Sequence, residues 1–320
     1  MEKLEAEAMT IELRLTDIDP PTAEPKRTIY RDIANLPDPT TLGITIRYFN
    51  YDDVGLYMQI TGSGTGYTFT PANLGLLGTG ANAYKNLDNF ASRTKPTVAQ
   101  LPNGEMSENI TLTLKGYTDA GYTNLKWTFN RVVTVIWINS TDASFTVNEV
   151  DNFDDGTVQG WAVVNESQSI SLSVAPQTDY VLSPPYSLRV TEGSSNIGSP
   201  CQNFQTRYRL YKSFTTPNKD KVYAVMDIRI GRAVSGGEKY FKNYTLKKDS
   251  DVLVYLGKAY DTAASDYIPV AKWVRIVVPL PKNTTLELRM VLEHVYHRSD
   301  SGSMYAYSLF WMDDFKIISK

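Results

Sequence analysis

Ile110-Thr111-Leu112-Thr113-Leu114 alternates a branched apolar residue with a small polar one at every step. Side chains of an extended strand point to opposite faces in turn, so this stretch predicts one face turned to a core and one to solvent. A helix would scatter the same apolar residues around its circumference. The period recurs on both sides. Ile44, Ile46 and Tyr48 alternate with polar neighbours, as do Leu56, Met58 and Ile60, and Tyr67 and Phe69 alternate with threonine. Val133, Val135 and Trp137 close this half, and Ile11, Leu13 and Leu15 predict a strand near its start. No amphipathic helical pattern interrupts them. Gly62-Ser63-Gly64-Thr65-Gly66 lies between strand segments rather than opening a helix, which excludes a dinucleotide fingerprint. The glycine-rich run from Gly75 to Asn82 holds no lysine and predicts a loop, not a phosphate cradle.

Further along, residues 170–174, 187–190, 208–214, 222–230, 252–256, 273–278, 286–292 and 308–317 predict eight strands separated by turn signals, the count of a jelly roll. The reading is therefore all-β, two tandem antiparallel β-sandwiches, immunoglobulin-like and then jelly roll. Residues 1–27 form an N-terminal strand and proline-rich arm, 28–145 the first sandwich and 146–320 the second. Within the arm, Asp17-Ile18-Asp19-Pro20-Pro21-Thr22-Ala23-Glu24-Pro25 predicts a stiff connector. The strand ahead of it either pairs locally, the favoured reading, or is lent to a neighbouring subunit.

Composition agrees and excludes several functions. The 320 residues, 42% hydrophobic and 12% aromatic with 21 tyrosines, suit two domains with pleated, half-buried surfaces. Residues 1–145 carry 12 Lys and Arg against 16 Asp and Glu (−4), and residues 146–320 carry 20 against 19 (+1). Neither half has the basic face that neutralising phosphates requires, so nucleic acid is not an expected partner. No apolar run is long enough for a membrane span. Cys201 is the single cysteine, so no internal disulfide is available. The acidic opening Met1-Glu2-Lys3-Leu4-Glu5-Ala6-Glu7-Ala8 lacks the apolar centre of a secretory leader. Either a mature fragment or a route out of the cell such as a released virion is expected. His294 and His297 stand an odd number of positions apart, which in a strand sets them on opposite faces and away from one shared metal. No Gly-x-Ser-x-Gly elbow is present, and no enzyme is expected.

Three segments, in order, resemble the galactose-binding-like jelly roll shared by many carbohydrate-binding modules. They are Asp151-Asn152-Phe153-Asp154-Asp155-Gly156-Thr157-Val158-Gln159-Gly160-Trp161; then Tyr186-Ser187-Leu188-Arg189-Val190 with Trp273-Val274-Arg275-Ile276-Val277-Val278-Pro279-Leu280; and the close Phe310-Trp311-Met312-Asp313-Asp314-Phe315-Lys316-Ile317. Nothing comparable identifies residues 1–145. The resemblance implies a structural calcium ion held in part by Asp154 and Asp313, with no other cofactor, and core positions for Trp161 and Trp273. Calcium takes six to eight oxygens, and one ion between the first and last strands would tie both ends of a sandwich. Sugar recognition needs an aromatic platform with polar neighbours, for which Tyr240, Tyr244, Tyr255, Tyr260, Tyr267, Tyr296 and Tyr305 are candidates.

Five Asn-x-Ser/Thr sequons, at Asn109, Asn139, Asn165, Asn243 and Asn283, agree with life on an exposed surface in a glycosylating host. The expected role is that of a non-catalytic structural or recognition protein: a virion spike, turret or appendage subunit displaying a lectin-like jelly roll, or alternatively an extracellular carbohydrate-binding module or lectin. Its expected partners are copies of itself, other surface or virion proteins, and glycans, and its expected location is the virion surface or the outside of a cell.

Overall fold

The computed structural model describes residues 9–15, 27–34, 40–50, 55–77, 80–165, 172–192, 195–197, 203–230, 239–248, 251–259, 273–297, 302–304 and 307–320. The chain divides into two compact units, Ala6–Asn139 and Ser140–Lys320. Among the described residues no helix is long and apolar enough to cross a membrane.

The first unit contains β1 (Met9–Leu15), β2 (Arg27–Asp32), β3 (Thr40–Asn50), β4 (Leu56–Ser63), β5 (Tyr67–Phe69), β6 (Ala72–Leu77), β7 (Gly80–Arg93), β8 (Glu105–Tyr117) and β9 (Leu125–Ile138). One sheet runs β1-β3-β7-β5 and the other β2-β9-β8-β4-β6. Ile110, Leu112 and Leu114 of β8 are buried beside Met58, Ile60, Val133, Val135 and Trp137 of the same sheet, and Phe90 and Ala91 of the facing sheet close the core. β1 pairs with β3, Leu13 opposite Ile46, so within this chain the first strand is locally paired. That pairing is parallel, as is β2 with β9, a feature no single strand's alternation reveals.

The run from Gly75 to Asn82, expected as a loop, is strand on both sides of residues 78–79, which lie outside the described residues. The register of β4 against β6 shifts between Met58 and Gln59, and Gly75 sits there at φ +73°. A bulge of this kind needs a left-handed residue, which glycine supplies without strain. Glycine here marks an irregular strand rather than its end.

The second unit contains β10 (Thr146–Asp151), β11 (Ala162–Asn165), β12 (Leu172–Gln177), β13 (Ser187–Glu192), β14 (Ser195–Ile197), β15 (Asn203–Thr215), β16 (Val222–Ile230), β17 (Lys239–Lys248), β18 (Asp251–Ala259), β19 (Trp273–Leu280), β20 (Thr285–His297), β21 (Gly302–Met304) and β22 (Tyr307–Ser319). A six-stranded sheet runs β12-β13-β22-β16-β19 with β10 also paired to β22, and a five-stranded sheet runs β11-β15-β20-β17-β18. Every strand expected from alternation is among them. Their inner faces meet in one core that includes Phe153, Trp161, Phe310 and Phe315.

A bulge in β22 sets the geometry of the site described next. Phe310, Met312, Phe315 and Ile317 all reach the core, although strict alternation would turn Phe315 the other way. Asp314 takes φ +47° where the register against β16 shifts, and this extra residue returns Phe315 inward.

Candidate functional site

The outer face of the six-stranded sheet is built by the same alternation that fills the core. β22 sends Phe310 and Met312 inward, leaving Trp311 and Asp313 on the outer face. Likewise β16 leaves Asp227 and Arg229 outside, β19 leaves Trp273 and Arg275, and β13 leaves Arg189. The registers then align them. Arg189 is opposite Trp311, Trp311 opposite Arg229, and Arg229 opposite Trp273, giving one row of alternating cations and indoles across four strands. The adjacent row runs Asp313, Asp227, Arg275.

Apart from the half-buried Arg189, these rows are buried, Trp311 at 3% and Trp273 at 1% exposure. Among the described residues, the segment 178–183 overlies them. The Tyr180 ring lies 3.7 Å from the Arg229 guanidinium, which also stacks over Trp311 at 4.9 Å. The two rings meet edge to face with centroids 5.0 Å apart. Tyr180 is held at φ +51° and its carbonyl accepts from Ser187 Oγ at 3.1 Å. The backbone N–H groups of Leu182 and Ser183 donate to Asp313 Oδ2 at 3.1 and 2.9 Å, and Asp314 N–H donates to Oδ1 at 2.9 Å. Beside Tyr180, Arg189 Nη1 donates to Asp179 Oδ2 at 2.9 Å.

Burial pushes the Asp313 carboxyl up to about 7 against the pull of the backbone N–H groups, and the nearby Asp314 charge adds to the rise. Burial likewise raises Asp227 to about 6, opposed by Arg275.

Tyr180 is 44% exposed. Arg229 occupies one of its faces, so the other is presented outward. Among the described residues, the indole N–H groups of Trp311 and Trp273, Arg189 Nε and Asp179 Oδ1 have no hydrogen-bond partner. Buried polar atoms without partners are uncommon in folded proteins. An outward ring face, braced from behind by a cation and flanked by the partly exposed Arg189–Asp179 ion pair, suits a flat apolar surface edged with hydroxyls.

No protein-family model and no curated protein matches the chain. Solved structures do. A carbohydrate-binding module of the β-sandwich superfamily is 14% identical, with 87% of this chain and 97% of that one covered at a TM-score of 0.33. The xylan-binding domain of a Paenibacillus barcinonensis protein is 15% identical over 55% of this chain and 96% of its own, at 0.28. A cleaved adhesin domain of Lys-gingipain from Porphyromonas gingivalis is 12% identical over 55% and 99%, at 0.32.

The residues singled out from sequence are not all gathered at this surface. Asp313 is there. Asp154 is exposed on the turn after β10, where its Oδ2 accepts from Asn152 Nδ2 at 2.7 Å. Among the described residues no group of three or more His, Cys, Asp or Glu stands ready to hold a metal. A carboxylate has about four acceptor positions, so the three N–H bonds on Asp313 leave it one for a cation. Trp161 packs in the core, its Nε1 donating to Asp151 Oδ2 at 2.9 Å. Trp273, expected in the core, is buried on the opposite face of β19 because Val274 takes the inward position.

The side chains of all seven candidate tyrosines and of His294, His297, Cys201 and Asn243 lie outside the described residues. Of the other sequons, Asn109, Asn165 and Asn283 are exposed, while Asn139 is buried at 6%. Sequence reading passed over Tyr180 and Arg229. For Arg229 the usable signal was a cation at an outward position of β16, whereas Tyr180 lies between β12 and β13 and carries no such signal.

Proposed function

We propose that this is a non-catalytic surface recognition protein whose second unit binds carbohydrate at Tyr180. The observation that carries the reading is the outward ring face of Tyr180, held rigidly over Arg229 and Trp311. A pyranose would stack on that face, with Asp179 and Arg189 taking its hydroxyls. A glycan array with the intact chain tests this. Specific binding that Tyr180→Ala removes supports the reading, and an array silent for the intact chain ends it.

The location that goes with this role is the outside of a cell or a virion. The narrower assignment, a virion spike, turret or appendage subunit associating with copies of itself or other surface proteins, is supported by tandem sandwiches that need no disulfide and by the proline-rich arm. Negative-stain imaging of the purified chain tests it: rings or filaments are expected, and monodisperse single particles would leave only the recognition role. Calcium at Asp154 and Asp313, completed by backbone carbonyls and water, belongs to the same proposal as a structural tie.

A further inference from the structure

A second cluster in this unit lies away from Tyr180. Lys212, on β15 of the five-stranded sheet, places Nζ 2.9 and 2.7 Å from Asp151 Oδ1 and Oδ2. The same nitrogen is 2.6 Å from Glu149 Oε1. Both acids sit on β10, in the other sheet. Asp151 is only 3% exposed, and Trp161 Nε1 donates to its Oδ2 from within the core. Gly160, at φ +85°, borders the lysine chain: a Cβ there would stand 3.5 Å from Lys212 Cε. Burial raises the Asp151 carboxyl despite the ammonium beside it, so its oxygens take up a proton more readily. The two acids hold the Lys212 ammonium up against burial, so its proton needs an acceptor before the amine can react.

We propose that Lys212 and Asp151 condense to an intramolecular isopeptide bond, with Glu149 relaying the protons. The two hydrogen bonds hold Nζ beside the carboxyl group close to its plane, so a rotation of the carboxyl about Cβ–Cγ turns the face of its carbon to the freed amine. Glu149 takes a proton from the ammonium and frees the lone pair. Nζ then bonds to Cγ while the Trp161 indole N–H steadies charge on Oδ2, which becomes the amide oxygen. The Cγ–Oδ1 bond breaks and Oδ1 leaves as water. That water carries two of the three ammonium protons, both passed through Glu149, and the third stays as the amide N–H. One cation and one anion become a neutral amide and water, so no oxidant or cofactor is required. Held in place and shielded from solvent, the pair reacts at an effective concentration that free groups in water never reach. The product would join β10 of one sheet to β15 of the other covalently, in a chain whose single cysteine allows no internal disulfide.

Intact-mass spectrometry of the full chain decides it. The expected mass is one water below that of the sequence, and proteolysis should release a branched peptide joining residues 151 and 212. Glu149→Gln and Lys212→Arg should each return to the mass of their own sequence. An unmodified wild-type mass after prolonged incubation overturns the proposal, as does a lost water with no branched peptide. Because the wild-type measurement suffices, misfolding of a variant does not leave the question open. Glycan binding plays no part in this test, so the two proposals stand or fall separately.

Discussion

Arg275 Nε and Nη2 donate to the two carboxyl oxygens of Asp227 at 2.8 and 2.5 Å, on the face of the six-stranded sheet turned away from its core. Asp227 is fully buried and Arg275 nearly so, which makes the pair costly to break and weak to rely on. Arg275→Met leaves a buried carboxylate alone and should destabilise the second unit by about 3–5 kcal/mol in urea denaturation. Asp227→Leu combined with Arg275→Met should recover most of that loss. A double variant no more stable than the single would show that the pair's shape, not its charge, is what matters.

Asp227 also gives the fold a pH dependence. Its folded value of about 6 lies above the ordinary 3.8, so the folded state holds this proton more tightly than the unfolded chain. The contribution is fully present below the ordinary carboxylate range and is lost as pH rises through about 6. With calcium chelated, melting temperature should fall between pH 4 and pH 6, and Asp227→Asn should flatten that slope. An unchanged slope in the variant would assign the dependence to other groups.

At the proposed sugar platform, ring and hydroxyl can be separated. Tyr180→Phe keeps the stacking face and should retain most binding, whereas Tyr180→Ala should weaken it by about tenfold. Tyr180→Phe should leave the melting temperature unchanged, whereas Tyr180→Ala should lower it modestly by uncovering Arg229 and Trp311. Equal loss in both variants would point to the phenol oxygen instead of the face.

Calcium should raise the melting temperature in a saturable way, with Asp313→Asn abolishing the rise. A flat response at millimolar calcium would remove the metal from the proposal.

In the first unit, Gly116 is opposite Trp127, and a Cβ at that position would come within 2.6 Å of the indole ring. Trp127 is buried and stacks with Phe129 at 5.3 Å, so it cannot swing aside freely. Gly116→Ala should cost about 1–3 kcal/mol through overpacking. Wild-type stability in the variant would mean that the ring has room to shift.

How much of this was legible beforehand follows from the range of each signal. Alternation exposed β8, β9, β16 and β19 because apolar residues recur within a single strand. β10, β11 and β17 escaped because they are short or carry polar and charged residues on both sides, as in Lys239-Tyr240-Phe241-Lys242-Asn243-Tyr244. Asp313 was legible as a notable residue from the closing motif, but not its three backbone donors, two of which arrive from a loop more than a hundred residues earlier in the chain.

The amino-acid order alone determined that the chain is β throughout and which side of most strands is apolar, since a strand's two faces are written into neighbouring residues. Only the folded arrangement decided that Arg189, Trp311, Arg229 and Trp273 share a row, and that Lys212 meets Asp151 across two sheets. Those juxtapositions depend on strand order, on register between distant segments and on the single-residue bulge at Asp314. None of these leaves a mark within any one strand, because pairing partners are chosen by the packing of the whole unit.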